Sequence, residues 1–500
     1  MSPRRFPVAP EVGVRALLES INMKCSNHPL RLAMAMFAVG SVALAVQSQA
    51  AELLERAVLP SASFSTGPTS GQFATGGNGV ATPFINRQPV QGFSAVLPDQ
   101  HDGTYFVMSD NGFGNKANSA DALLRVYNVK PDFKTGTVSP VNRFTGDELA
   151  GFTSESFITL SDPWHKVPFV IVAEGTVYPG TPVGGGAAIP VDPSIRANRF
   201  LTGADFDIES IRRAADGTLW FGDEFGPYLI HTDSKGRVLE APIPLPNFRK
   251  IPSTLGGTEV NPLIQAVSNP TRTLAANLPD SGGFEGMALN ASRNKLYALL
   301  EKAVGGDTVR ERLLINEFSL TARKYTGKTF GYILDSASNA IGDFTALTDT
   351  QFLIIERDGG QGDPTDPRFT GPARFKRIFK IDLRQVDANG NLIKEEVADL
   401  MNIYDPRDVA GDGKAKTVFT FPFTTIEDVL VLDNNRLLVI NDNNYPGSAG
   451  REFGVPDNNE FIVIHTAPLL DSEDCRRGRK EARGYDGYED RRKECEPATN

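Results

Sequence analysis

Histidine and cysteine are scarce in this chain, and the histidines are not spaced as in the usual zinc sites. Its 500 residues hold five histidines, at 28, 101, 165, 231 and 465, and three cysteines, at 25, 475 and 495. The histidines show no metal-ligand spacing, which argues against zinc. There is no Gly-x-Ser-x-Gly elbow and no Gly-x-x-x-x-Gly-Lys-Ser/Thr phosphate loop, so a covalent serine mechanism has no support. A calcium loop of EF-hand type is missing as well. Basic residues are in deficit, 51 Lys and Arg against 61 Asp and Glu for a net charge of -10. That balance argues against a nucleic-acid binder, which needs a basic stripe. The uncharged apolar run Leu32–Val46 falls short of the roughly 18 residues that span a membrane.

That run follows Lys24 and Arg31 and precedes Ser48-Gln49-Ala50, the three-part pattern of a secretory signal. Met23 is an alternative start that gives a signal of ordinary length. Residues 1–50 are therefore expected to be removed, leaving an exported chain, periplasmic or extracellular, with no transmembrane segment. Five basic and two acidic residues leave with them, so the mature net charge falls to -13. Cys25 leaves too. Cys475 and Cys495 remain in a charged tail, residues 469–500, where an exported pair is expected to form a disulfide.

What is abundant is turn chemistry. There are 47 Gly and 34 Pro, with few long helical patterns, which favours an all-β chain of many hairpins. Gly203–Asp233 shows the unit best, with apolar runs Phe206–Ile211, Leu219–Phe221 and Tyr228–His231 separated by Asp-Gly and Gly-Pro turns. The unit recurs, with a marked residue near the start of a first strand and an acid at the end of the second. The marked pairs are Ser94 and Asp110, Thr159 and Glu174, Glu209 and Glu224, Glu285 and Glu301, Asp343 and Glu356, Glu427 and Asp442. Their spacings are 16, 15, 15, 16, 13 and 15. Six such units predict a six-bladed β-propeller over residues 84–468, after a lead-in segment at 51–83. A monomer is expected.

First strands start, and second strands end, at one rim of such a ring, so the marked acids are expected to converge on one mouth. A cluster of oxygen ligands suits a hard cation, calcium above all. Glu209, Glu224 and Glu285 are the first-choice ligands, with Glu356, Glu427 and Asp442 next. For any one of these carboxylates, a solvated strand-end cap is the competing explanation. Basic residues stand beside the acids, and Lys302, Arg357 and Arg213 are the expected contacts to an anionic substrate.

The chain also resembles a family of exported bacterial phytase-like proteins described by an esterase-like activity of phytase. The resemblance rests on Phe206-Asp207-Ile208-Glu209-Ser210-Ile211, Gly222-Asp223-Glu224-Phe225-Gly226-Pro227-Tyr228 and Gly283-Phe284-Glu285-Gly286-Met287. Ile355-Glu356-Arg357-Asp358, Ile426-Glu427-Asp428 and Asn441-Asp442-Asn443 extend it, across roughly Gly92–His465. It implies a propeller and, by the family's name, hydrolysis of phosphate or other esters; it brings no established catalytic residue set. The expected activity is calcium-dependent hydrolysis of a phosphate ester, with Glu224 and Glu285 in catalytic roles. A lactonase or carboxylesterase, and a non-catalytic extracellular binding propeller, are the alternatives. Export itself is testable: N-terminal sequencing of the mature protein should begin near Ala51, and retention of Leu32–Val46 would refute it.

Overall fold

The computed structural model describes residues 50–249, 261–411 and 418–474. The signal-like run and both tail cysteines lie outside them. Nearly all regular structure is strand, and no helix among the described residues is long and apolar enough to cross a membrane.

Five four-stranded antiparallel units form among the described residues. The first is Phe93–Pro98, Tyr105–Ser109, Arg125–Asp132 and Thr137–Pro140. The second is Ile208–Arg213, Leu219–Asp223, Tyr228–Thr232 and Ile243–Pro244. The third is Phe284–Leu289, Lys295–Leu300, Arg312–Ser319 and Lys324–Ile333. The fourth is Ala340–Ala346, Gln351–Arg357, Lys376–Val386 and Leu392–Asp399. The fifth is Asp428–Val431, Arg436–Ile440, Asn459–His465 and, as its outermost strand, Glu52–Leu59.

The first strands of successive sheets touch in order, and the fifth touches the first, so the ring closes. Packing follows the same circle. Each of the five hydrophobic clusters draws mainly on two neighbouring sheets: first with second, second with third, third with fourth, fourth with fifth, fifth with first. Gln351–Arg357 shows why. Every residue of the strand is buried, with Phe352 and Ile354 in one cluster and Leu353 and Ile355 in the next. Side chains alternate along a strand, so an unbroken apolar run feeds both faces of a sheet sandwiched between two others. This is the propeller principle.

Two sequence expectations change. The unit expected around Thr159 and Glu174 is not a sheet of its own. Phe157–Thr159 pairs with the third strand of the first sheet, and Val172–Glu174 is one helical turn. Pro163 and Pro168, lying between them, remove backbone donors that a hairpin needs. Leu160, Val167, Ile171 and Val172 instead fill the core between the first two sheets. The lead-in segment, in turn, is not merely a lead-in. Glu52–Leu59 pairs with Asn459–His465 and completes the fifth sheet.

A buried ion cluster fixes that closing strand. Glu460, fully buried, accepts from Arg56 Nε and Nη2 at 3.0 and 2.9 Å and from Arg451 Nε and Nη2 at 2.8 and 2.9 Å. Burial alone would raise its pKa, but the two guanidiniums hold it down at about 2. Glu460→Ala strands two cations against the closing strand and should cost about 3–5 kcal/mol in denaturant unfolding. A loss below about 1 kcal/mol would show that the cluster does not secure the ring.

Candidate functional site

The residues gathered at one end of the ring owe their direction to a repeated irregularity. In four of the five sheets the first strand carries a β-bulge against the second. The register slips between Phe93 and Ala95, between Ile208 and Ser210, between Phe284 and Gly286, and between Ile341 and Phe344. The residues left out of the pairing are Ser94, Glu209, Glu285 and the Gly342-Asp343 pair. A bulge re-aims a side chain without disturbing the alternation beyond it. The second-strand acids Asp110, Glu224 and Glu301 each follow directly on the last paired residue of their strand.

Close backbone approach brings the second and third sheets together. A Cβ on Gly283 would stand 2.4 Å from Glu224 O and 2.7 Å from Glu224 Cα. Only a residue without a side chain lets these chains pass so closely.

The result is a carboxylate cluster. One oxygen from each of Asp207, Glu209 and Glu224 lies within 4.8 Å of the others, and the same holds for Glu224, Glu285 and Glu301. Glu224 belongs to both groups. Glu427 and Asp442 close the other flank, with Arg357 Nη2 donating to Glu427 at 2.8 Å and standing 3.7 Å from Glu285. Ser94 Oγ donates to Glu427 at 3.1 Å, Thr425 Oγ1 to Asp442 at 3.0 Å, and Ser281 Oγ to Glu224. Further along the inner strands, Arg212 bonds Asp343 at 2.8 Å, while Asp343 also accepts from Val429 N at 3.1 Å. That pair ties the second, fourth and fifth sheets across the ring.

Electrostatics mark the same set. Burial, then neighbouring carboxylates, push Glu209, Glu224 and Glu285 well above the ordinary glutamate range. The same causes raise Asp110 strongly and Asp442 to about 7. Burial raises Asp207 to about 6 against hydrogen bonds that lower it. Like charges at this separation in a poorly solvated site cannot all ionise without compensation. Asp207 Oδ1, Glu224 Oε1 and Glu285 Oε1 are buried with no hydrogen-bond partner. Three buried hard oxygens without a hydrogen-bond donor, with no imidazole or thiolate in either group, fit a hard cation.

The expected site residues divide. Glu209, Glu224, Glu285, Glu427 and Asp442 come together, with Arg357 among them. Glu356 does not join them: it accepts from Tyr332 Oη at 2.8 Å, Asp335 N at 2.7 Å, Asn339 Nδ2 at 2.9 Å and Lys394 Nζ at 2.6 Å. It pairs within the ladder opposite Ile341, so its side chain turns to the other face from that of its neighbour Arg357. Arg213 ends the strand in which Glu209 is the second residue, roughly 13 Å away at strand rise; it sits over Phe106, 4.0 Å from Asp99. Lys302 is half-exposed and pairs with Glu301 at 2.8 Å. Glu174 pairs instead with Arg199, at 2.8 Å. Asp207 and Ser281 were not among the expected site residues. Asp207 stands two residues before Glu209, a period-of-two signal readable in the sequence; Ser281, in a loop, carries none.

The family described as phytase-like, with an esterase-like activity of phytase, matches residues 88–445. An uncharacterized secreted protein of Arthroderma benhamiae is 26% identical over 209 residues, spanning 37% of this chain and 40% of the relative. Among solved structures, a luciferin-regenerating enzyme covers 75% of this chain and 92% of its own at 10% identity and TM-score 0.33. A GH43 beta-1,3-galactosidase with bound galactodeoxynojirimycin covers 75% and 91% at 11% identity and TM-score 0.34. Overlaps this weak carry no argument, and the ring rests on its own strand contacts.

The raised carboxyl values set a pH dependence for the chelator-treated protein. Groups whose folded pKa exceeds the unfolded value stabilise fully below about 4, and that stability is lost as pH rises through the folded values. Those values are about 6 at Asp207 and about 7 at Asp442. Glu460 acts in the opposite sense, its contribution fading as pH falls from about 4 towards 2. The melting temperature should therefore peak in mild acid and decline towards pH 8. A curve flat from pH 5 to 8 would show that the cluster is not strained in its charged form.

Proposed function

The chain belongs to the phytase-like family, and from that premise we propose that it is an exported, calcium-dependent phosphoesterase acting at the carboxylate cluster. The observation that carries this reading is the group of buried carboxylate oxygens on Asp207, Glu224 and Glu285 that receive no hydrogen bond. Export is supported by the signal-like run and by the secreted relative.

Asp207, Glu209 and Glu224 form one group that would hold an ion, and Glu224, Glu285 and Glu301 form another. A bound calcium supplies positive charge to phosphoryl oxygens and makes water easier to deprotonate. The chain's own groups do the rest. Glu224 and Glu285, whose proton affinity is raised by burial and neighbouring carboxylates, would be the groups that accept a proton from attacking water. Arg357 keeps charge balanced on the Glu427 flank, its side chain only 10% exposed between two carboxylates. Lys302, with 42% of its side chain exposed, is the cation best placed to meet an incoming anionic substrate. Since the family description couples esterase-like with phytase, carboxylic esters are the second reading.

The test is phosphate release from inositol hexakisphosphate, beside acetate release from an aryl acetate, with and without chelator. Phosphate release should be abolished by chelator and restored by calcium. Turnover of the acetate alone would favour the carboxylesterase reading, and turnover of neither would favour a binding protein. Glu224→Gln and Glu285→Gln should each lower calcium affinity and rate together, by about tenfold or more, with metal-free stability unchanged or improved. Lys302→Ala should raise KM without altering calcium affinity. Wild-type calcium binding in both Gln variants would overturn the site. Calcium at a hundredfold excess over its Kd should also stabilise the fold by about 2.7 kcal/mol.

A further inference from the structure

A second polar site lies away from the carboxylate cluster, on the outer part of the first sheet. There Phe157–Thr159 pairs with Arg125, Val126 and Tyr127. Beside it opens a cavity of about 360 Å³, a volume in the range of small-molecule sites. Arg125, Arg143 and Lys235 line it with Thr66, Gly67 and Ser154, and the lining contains no carboxylate. None of these residues belongs to the cluster described above.

Arg125 is the informative member. It is buried, 4% exposed, yet every partner is neutral: Ser65 Oγ at 2.8 Å, Thr66 O at 2.8 Å and Thr159 Oγ1 at 3.2 Å. Its guanidinium stacks 4.0 Å over the Phe157 ring. Burial lowers its pKa, and no carboxylate counters this. Arg143 is half-buried, and its Nε is likewise buried with no hydrogen-bond partner while burial alone lowers its pKa. Other buried arginines of this acidic chain are matched: Arg212 to Asp343 and Arg357 to Glu427. Desolvated cations without counter-ions are costly. Gly67 keeps the Arg125 edge uncovered, since a Cβ there would come 3.1 Å from Nη2. Ile158 and Phe200 supply apolar wall beside the cations.

We propose that this cavity binds a small organic phosphate monoester, its dianionic head between Arg125 and Arg143 with Lys235 at the rim, and its organic body against Phe200 and Ile158. Three cations around one cavity match a dianion better than a carboxylate, and a planar guanidinium suits phosphate oxygens. The site is independent of the proposed hydrolysis and survives the failure of that reading.

The test is calorimetric titration of the chelator-treated full chain with phenyl phosphate, so that no metal at the carboxylate cluster attracts the anion. Saturable one-to-one binding, competed by inorganic phosphate, is expected. Arg143→Met should weaken it by about tenfold or more. Its main-chain bonds to Glu155 O and from Gln100 Nε2 are retained, and an unchanged melting temperature checks the fold. Lys235→Met should weaken binding severalfold, and Glu285→Gln should leave it unchanged. The proposal is overturned by an absence of saturable binding, by wild-type binding in Arg143→Met, or by loss in Glu285→Gln. Equal affinity for phenylacetate would overturn the phosphate assignment.

Discussion

Repulsion among buried carboxylates governs this molecule. Like charges held within 4.8 Å of one another in a poorly solvated place drive apart whatever carries them. What carries them here is a closed ring of sheets, each packed between two others by its own apolar cluster. The ring cannot open at one sheet without exposing two cores. The acids therefore take up protons, or a cation, rather than separate. The elevated proton affinities and the oxygens without a hydrogen-bond donor are two expressions of that one constraint.

The bulges reconcile packing with chemistry. A regular strand would commit the position of Glu209 or Glu285 to one face of the sheet, in competition with the apolar residues beside it. By leaving that one residue outside the ladder, each sheet keeps Phe206, Ile208 and Ile211, or Phe284 and Met287, in the core while a carboxylate turns to the ring's end. The same position holds Ser94 in the first sheet. There the hydroxyl donates to Glu427, so the cluster is weighted towards the second and third sheets.

Much of this was legible in the sequence because it follows from spacing. Alternation, turn residues and the recurring acid pointed to the all-β class, the repeat and, among the acids that meet, Glu209, Glu224, Glu285, Glu301, Glu427 and Asp442. The misses have particular causes. Thr159 and Glu174 stand at the right separation, but spacing cannot register the prolines between them. Glu356 lies 13 residues after Asp343, where other units show 15 or 16, and in that shorter hairpin it is paired inside the ladder, opposite Ile341, instead of following it. Arg357, not Glu356, faces the cluster, so a cation stands where the other sheets place an acid. Arg213 adjoins the right strand but at its wrong end, a distinction that needs the strand's length and direction.

The pairing of Glu52–Leu59 with Asn459–His465 has a consequence for how the protein comes into being. Among the described residues, the first strand to be made finds its main partner only when the last has emerged. Until then both ends of the array are bare sheet edges, the surfaces on which strands of other chains most readily add. Contacts of such sequence separation also make for slow folding. The finished ring has no such edge at its seam, so the hazard belongs to the period of synthesis and falls on the growing chain alone.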